Sequence, residues 1–211
     1  MTELLFPVGH YLGAHYRGAA GQPTGHRVRL GPSLRWLGTE PELLAWTFAH
    51  GLGESADQDQ PWDRPTMIEY AHWLTGTDLT EAVTGLVERK LLVEVDPDHD
   101  AGAAGFARSY QLRALMLALG RDPDEPDSFL LGVAGEPAVA LSEFGHAVWQ
   151  TSQRSPSLWD TCQAVAGSDP APADPGPLLP ELLGELHGML GAGVAYLDAA
   201  EGESDAGVEI H

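Results

Sequence analysis

The chain has 211 residues, 43% of them hydrophobic, and its 31 acidic residues outnumber 11 lysines and arginines, giving a formal net charge of −20. Nucleic-acid binders draw affinity from phosphate neutralisation, so this charge argues against a nucleic-acid partner. Cys162 is the sole cysteine, which excludes an intramolecular disulfide and a multi-cysteine zinc site.

The sequence also predicts where the protein resides. No run of about 18 apolar residues could span a bilayer, and the N-terminal residues lack the basic region and long apolar stretch of a signal peptide. We therefore expect a cytoplasmic protein without a membrane partner. Two interpretations of the acidity stay open: a GC-rich genome with an ordinary solvated surface, or a selected acidic function.

The first half of the chain predicts strands and helices in a regular order. Residues 5–18 are typical of a hairpin strand or a short helix, and the alternation of residues 26–31 predicts a half-buried strand. A helix with Trp46 near its middle follows. The polar, turn-rich stretch at 51–63 predicts a loop.

Two further helices and a strand complete the first half. Thr66, followed three positions later by Glu69, resembles a capping box and places a helix start there, and Gly76 ends that helix. The next helix leads into a strand at 91–96. Its apolar stripe recurs at i, i+3, i+4, i+7 and i+8 and consists of Leu79, Ala82, Val83, Leu86 and Val87.

The second half repeats this order. An offset of 91 pairs Thr66 with Ser157 and Gly76 with Gly167, which predicts a second capped helix. The strand at 137–142 is interpreted as the counterpart of the strand at 26–31, and a strand at 194–198 closes the half. In the last helix Leu179, Leu183 and Leu186 are interpreted as the counterparts of Leu79, Val83 and Leu86.

These patterns predict an α+β fold of two tandem winged-helix-like units. The units span residues 1–96 and 106–200, residues 97–105 are a linker, and residues 201–211 are a mobile acidic tail. Four prolines between 168 and 177 exclude a helix there and predict an extended connector.

The order of elements resembles a winged helix and, more narrowly, the peptide-chaperone family PqqD and the related recognition elements of ribosomal-peptide maturation systems. The resemblance rests on a strand, a helix with Trp46 or Trp149 near its middle, a capped helix, and a leucine-spaced helix that closes on a strand. It implies a non-catalytic protein to which a peptide adds as a strand beside the last helix of a unit. The docking elements that it implies are residues 27–30 with the helix from Asp78 to Arg89, or 139–141 with the helix from Leu179 to Leu190.

A peptide that adds to the strand at 27–30 gains main-chain hydrogen bonds at a sheet edge. The arginines of that strand favour an acidic partner and the carboxylates of the last helix a basic one, so both stay open. Trp62, in the loop at 51–63, is an alternative contact residue. The candidate residues for binding a partner polypeptide are Arg27, Val28, Arg29, Leu30, Glu81, Glu88 and Trp62.

No constellation predicts catalysis, and we expect neither a metal nor a cofactor. The DPDHD run at 96–100 lacks the spacing of a calcium loop, and no phosphate-cradling or dinucleotide motif occurs. A catalytic triad could be drawn from Ser142, His146 and Asp160 by residue type. We do not predict one, because no nucleophile-elbow sequence surrounds the serine.

Three functions therefore stay open. The first is recognition of a peptide or protein in a biosynthetic or regulatory complex. The second is that of a transcription-factor relative, which binds DNA through Arg27, Arg29 and Arg35 or mimics DNA acidity to sequester a basic partner. The third is an enzyme. The last helices lack the Arg, Lys, Asn and Gln set that reads bases, which disfavours direct DNA reading.

Overall fold

The computed structural model describes residues 2–17, 21, 23–52, 61–167 and 173–202, and these residues form an α+β fold. Parts of three predicted loop segments lie outside the described residues. They are 53–60 of the loop, 168–172 of the proline-rich connector and 203–211 of the acidic tail.

The first half begins with strands and continues with helices. The segment at 5–18, whose type the sequence left open, lies mostly in two strands in its described part. The elements are β1 (Leu4–Pro7), β2 (His10–His15), β3 (Gly25–Leu30), β4 (Ser33–Leu37), α1 (Glu40–Phe48), α2 (Arg64–Thr75), α3 (Thr80–Glu88) and β5 (Leu92–Val95). β1 pairs antiparallel with β5, and β2, β3 and β4 form an antiparallel sheet in that order.

The second half repeats this order after one additional helix, α4 (Asp100–Ser109). Its elements are β6 (Tyr110–Ala114), β7 (Leu117–Arg121), β8 (Phe129–Val133), β9 (Glu136–Leu141), α5 (Glu143–Ser152), α6 (Leu158–Ala166), α7 (Leu179–Gly191) and β10 (Ala195–Ala199). β6 pairs with β10, and β7, β8 and β9 form a second three-stranded sheet. Strand pairing is therefore the same in both halves.

Local backbone features identify equivalent residues in the two halves. Both sheets have a register shift beside a glycine of positive φ, Gly13 at 101° and Gly120 at 109°. Thr39 and Ser142, 103 positions apart, cap α1 and α5, each accepting a backbone N–H three residues later. Shared irregularities of this kind are what a duplicated unit would retain.

The offset of 91 holds for α2 and α6. There Met67 and Ala71 correspond to Leu158 and Cys162, and all four side chains are fully buried. Neighbouring elements follow the offset of 103 instead, because the first half has the longer connection before its second helix and the second half the longer connection before its third.

The predicted equivalence of the last helices is wrong by three residues. Leu91 N–H bonds to the carbonyl of Leu86, and Val194 N–H bonds to that of Met189, so the ends of α3 and α7 align at the offset of 103. Apolar residues of α7 match the stripe of α3 at an offset of 100 as well as at 103, so apolar periodicity alone could not choose between the two alignments. The counterparts of Leu79, Val83 and Leu86 are Leu182, Leu186 and Met189, all fully buried.

The predicted linker at 97–105 is also wrong, since most of it belongs to α4. Ala103, Phe106 and Ala107 repeat at i, i+3 and i+4 and are buried. His99 caps the helix by accepting the Gly102 N–H at 3.0 Å. The glycines at 102 and 105 concealed this helix in the sequence, because glycine disfavours helix interiors.

The interiors of the two halves meet at β1. Successive side chains of a strand point to opposite faces. Leu5 accordingly packs in the hydrophobic cluster of the first half, whereas Phe6 and Val8 pack in the cluster that contains α4 and α7. The halves therefore share a wall instead of being separated by a flexible linker.

The sequence located one helix start correctly and one incorrectly. Ser157 caps α6 and accepts the Asp160 N–H at 3.1 Å, as predicted. In the first half the cap is Asp63 rather than Thr66, and its carboxylate accepts the Thr66 N–H at 2.9 Å. Pro65 lies in the first turn that Asp63 opens, where proline is well tolerated.

Candidate functional site

The predicted docking strand has no free edge. It lies within β3, which pairs with β2 on one side and with β4 on the other. Val28 is fully buried in the first core, and Leu30 packs against the second. Strand addition at 27–30 is therefore wrong, because both neighbours already use its backbone groups. The strand at 137–142, interpreted as equivalent, corresponds by its place in the sheet to β4.

The two predicted arginines of β3 share a face but differ in their contacts. Residues that face each other across antiparallel strands lie on the same side of a sheet, and Arg27 faces Trp36 whereas Arg29 faces Leu34. The Arg29 guanidinium donates to the Tyr196 hydroxyl at 2.9 Å and lies 3.9 Å from the Asp198 carboxylate. Arg29 thus links the two halves.

The other predicted residues lie apart from these arginines. Glu81 and Glu88 are exposed on α3. Trp62 is partly buried against the first core, and its indole N–H donates to the Phe48 carbonyl at 2.9 Å. Arg35 belongs to the opposite face of the sheet, because it faces Val28. The structure therefore does not bring the sequence-predicted residues together in one site.

An aromatic groove of about 660 Å³ lies where the first half meets the end of α7. Aromatic side chains dominate its wall, and sequence reasoning missed most of them. The lining residues are Tyr11, Leu43, Trp46, Thr47, Phe48, His50, Gly51, Leu52, Tyr70, Leu190 and Gly191. We call this surface the aromatic groove.

Three helices, α1, α2 and α7, supply the contacts that hold the wall of the aromatic groove in place. Trp46 of α1 donates its indole N–H to the Val8 carbonyl at 3.2 Å. Tyr70 of α2 packs edge-on against Phe48, with ring centroids 6.0 Å apart. At the end of α7, Gly191 permits a close approach, since a Cβ there would lie 3.1 Å from the Leu52 carbonyl oxygen.

Two partly buried histidines lie beside the aromatic groove. The His50 ring donates to the Trp46 carbonyl at 2.9 Å. The His187 ring donates to the Leu5 carbonyl at 2.8 Å and stacks on Phe6, with centroids 4.4 Å apart. Burial lowers the pKa of His187 to about 4, and burial likewise lowers the pKa of His50. Both rings are therefore neutral at pH 7 and serve the packing of the two halves.

The reactive side chains considered from sequence are engaged elsewhere. The Ser142 hydroxyl donates to Glu185 at 2.6 Å, and Asp160 bonds to Ser157. These two residues therefore do not form a catalytic triad with His146. His146 stacks on Phe129 with centroids 4.0 Å apart. Burial raises the pKa of the Cys162 thiol to about 12, which keeps it protonated and a poor nucleophile.

Among the described residues, no three His, Cys, Asp or Glu side chains come together as metal ligands. Nor does the described part of the chain contain a helix of the length and apolarity needed to cross a membrane. Neither a protein-family model, a curated protein nor a solved structure matches the sequence.

Three aromatic residues of the groove are specific to the first half, whereas Trp46 has Trp149 as its counterpart. Tyr11 faces Val28 across the sheet, and the equivalent pair in the second sheet is Ala118 with Leu131. By the offsets given above, the positions of Phe48 and Tyr70 are held by Thr151 and Thr161. Comparing the halves at the correct offsets would have revealed this difference from sequence.

Proposed function

We propose that this protein is a non-catalytic binding module that holds a segment of another polypeptide in the aromatic groove. The observation that carries the proposal is the concentration of aromatic side chains at one concave surface, where Tyr11, Phe48 and Tyr70 stand at positions that the second half fills with alanine or threonine. Residues needed only for folding would be expected in both halves.

The dimensions and chemistry of the aromatic groove suit an apolar side chain of a partner. Pockets for organic groups have volumes of roughly 300–1,000 Å³, and the value of about 660 Å³ lies within that range. Aromatic residues are enriched at protein interfaces, because they bury much area with little loss of side-chain freedom. Tyr11 is 40% exposed and offers such area.

Charge suggests what surrounds the apolar anchor of the partner. The whole chain has a formal net charge of −20, and the described lining of the groove contains neither Lys nor Arg. Opposite charge on the partner would speed encounter and exclude acidic competitors. We therefore expect an apolar anchor flanked by Lys or Arg, in a protein that acts in the cytoplasm.

The resemblance to the PqqD family supports a second mode of docking, in which a peptide adds as a strand beside the last helix of a unit, and β4 and β9 are the edge strands open to it. In the first half Arg89 restricts that edge, since its guanidinium donates to the Trp36 carbonyl at 3.0 Å and pairs with Glu42 at 2.8 Å. The equivalent of Arg89 is Ala192, so the second half lacks the contacts that Arg89 makes at this edge. Strand addition is therefore favoured at β9, beside α7.

A pair of matched variants tests the aromatic groove. Thr47 is exposed on α1 and lines the groove, and Gln150 is its exposed equivalent on α5. We expect peptides selected from a displayed random library against the wild-type chain to bind Thr47→Trp at least about tenfold more weakly. Gln150→Trp should bind them as the wild type does, because the same indole is added outside the groove.

Two results would oppose the proposal. Selected peptides that bind Thr47→Trp as tightly as the wild type do not use the aromatic groove. A selection that yields no apolar, basic peptides at all removes the proposed recognition chemistry. Peptides that ignore Thr47→Trp but lose binding to Ala140→Pro, which disrupts the exposed β9 edge, would establish strand addition in its place.

A further inference from the structure

A second surface of the first half differs in charge from the rest of the chain. Residues 4–39 contain four arginines, three histidines and no acidic residue, although the whole chain has a net charge of −20. These residues form β1 to β4. The corresponding strands of the second half, residues 110–142, have two arginines and five acidic residues. Genome composition acts on both halves alike, so it does not account for this contrast.

Three of these basic side chains, His15, Arg17 and Arg27, lie near an exposed tryptophan of the first sheet. Trp36 is 44% exposed and faces Arg27 across the strands. His15 packs edge-on against Trp36, with centroids 5.1 Å apart. His15 and Trp36 line a hollow of about 410 Å³ together with Arg17 and Thr24. We call these five residues the cationic face.

The charges of the cationic face are available for a partner. Among the described residues, neither Arg17 nor Arg27 has a carboxylate within salt-bridge distance. Both guanidinium groups are therefore without a neutralising carboxylate from the described part of the chain. A carboxylate of a partner would supply one.

The second half shows that the sheet does not require these charges. The registers place Arg27 at the position of Leu130 and, one residue beyond Arg121, His15 at that of Asp122. The same scaffold thus tolerates the opposite charge, so the positive charge of the first sheet is not needed for folding. A role in binding explains it.

We infer that the cationic face binds an acidic segment of a polypeptide, with Arg17 and Arg27 engaging carboxylates and Trp36 packing against the partner's side-chain stems. Arginine suits this task, because its planar guanidinium bonds carboxylates through two parallel N–H groups. The site is separate from the aromatic groove, since Arg27 and Tyr11 belong to opposite faces of the sheet. The inference therefore does not rest on the proposed function.

An acidic peptide fits the cationic face better than a nucleic acid does. Electrostatic forces fall off over about 8 Å at physiological salt, so a short peptide would respond mainly to this face. A duplex extends well beyond it and would meet the acidic remainder of the chain, where phosphate is repelled.

The test measures binding of a short fluorescein-labelled oligo-glutamate peptide to the full chain by fluorescence anisotropy. We expect saturable binding that weakens as salt is raised, and none of an oligo-glutamine peptide of equal length. Arg27→Gln should weaken binding about tenfold, as expected for loss of a charged hydrogen bond. Arg154→Gln removes the same charge from an exposed site in the second half and should change affinity less than about twofold.

Folding and competing partners are controlled in the same experiment. Far-ultraviolet circular dichroism and melting should be unchanged in both variants, and Trp36→Leu, which keeps an apolar side chain, provides a second loss of affinity. Equal binding by Arg27→Gln and the wild type overturns the inference. Tighter binding of a labelled DNA duplex than of oligo-glutamate, abolished by Arg27→Gln, overturns it in favour of a nucleic-acid site.

Discussion

The two halves of this chain share a scaffold and differ in their surfaces. Strand pairing, the glycine register shifts at Gly13 and Gly120, and the caps of the first helices recur in both. Most of the aromatic groove and all of the cationic face are built from the first half. The second half has Ala118, Thr151, Thr161 and Leu130 at the positions of Tyr11, Phe48, Tyr70 and Arg27.

The difference indicates how the halves divide their roles. The second half contributes the larger hydrophobic cluster, which takes in α4 and side chains from β1 of the first half. The first half contributes the exposed side chains suited to a partner. After a duplication, one copy can retain packing while the other acquires contacts, because surface substitutions away from special features change stability little.

Core truncation gives the largest expected effect and tests whether the halves are equivalent in their packing. Leu86 and Met189 are equivalent and fully buried. We expect Leu86→Ala and Met189→Ala each to lower the free energy of unfolding by about 2–5 kcal/mol, because each leaves a cavity. Chemical denaturation of the full chain measures both losses.

The same two variants test whether the halves unfold together. Because Leu5 and Phe6 of one strand belong to different clusters, we expect one cooperative transition, shifted by either substitution. Two transitions in calorimetry, with Leu86→Ala moving only one of them, would mean that the halves are independent domains.

The histidines at the junction of the halves predict a loss of stability in acid. His187 has a folded-state pKa of about 4 against an ordinary value of 6.5. A histidine whose pKa is lowered by folding stabilises the protein fully above pH 6.5 and loses that contribution as the pH falls towards 4. We expect the unfolding free energy to drop by about 3 kcal/mol from this residue across that interval.

His187→Gln separates this effect from the titration of other groups. Glutamine keeps an N–H donor for the Leu5 carbonyl but does not titrate. The variant should be less stable at pH 7 and should show a flatter decline between pH 6.5 and 4 than the wild type. An unchanged slope would show that His187 is not buried at the junction of the halves.

Much of the fold was predictable from the sequence, because periodicity and turn residues act locally. The α+β class, the alternating strands and the apolar stripes of α3 and α7 are confirmed. The helix α4 was missed, since two glycines and an acidic run masked Ala103, Phe106 and Ala107. Packing of these side chains in the shared core outweighs the poor helix propensity.

The candidate surfaces were less predictable, because they depend on which strands are neighbours. Alternation identified β3 as a strand but could not place it between β2 and β4, so the predicted edge was wrong. Arg27 was singled out correctly as a basic residue of that strand. Its proximity to Trp36 and His15 depends on the register of three strands, which the sequence pattern alone did not specify.

Capping residues give a smaller effect that distinguishes the two halves. Asp63 caps α2, and Ser157 caps α6. We expect Asp63→Ala and Ser157→Ala each to reduce stability by about 1 kcal/mol. Thr66→Ala, at the position equivalent to Ser157 under the offset of 91, should cost less than about 0.5 kcal/mol, because Thr66 offers its backbone N–H rather than its side chain to the cap. If Thr66→Ala lowered the unfolding free energy more than Asp63→Ala, Thr66 would be the cap of α2, as the sequence predicted.

The smallest expected effect separates the two arginines of β3. The Arg29 side chain bonds to Tyr196 across the junction but is 44% exposed, so solvent screening limits its contribution to stability. We expect Arg29→Ala to lower the unfolding free energy by about 0.5–1 kcal/mol. Arg27→Ala should leave stability within about 0.5 kcal/mol of the wild type, since no hydrogen bond to the second half is lost.

A double-mutant cycle with Tyr196→Phe should assign most of the stability lost in Arg29→Ala to the hydrogen bond between Arg29 and Tyr196. If Arg27→Ala destabilised the protein more than Arg29→Ala, the cationic face would be part of the folding core, and its difference from the second half would no longer indicate binding.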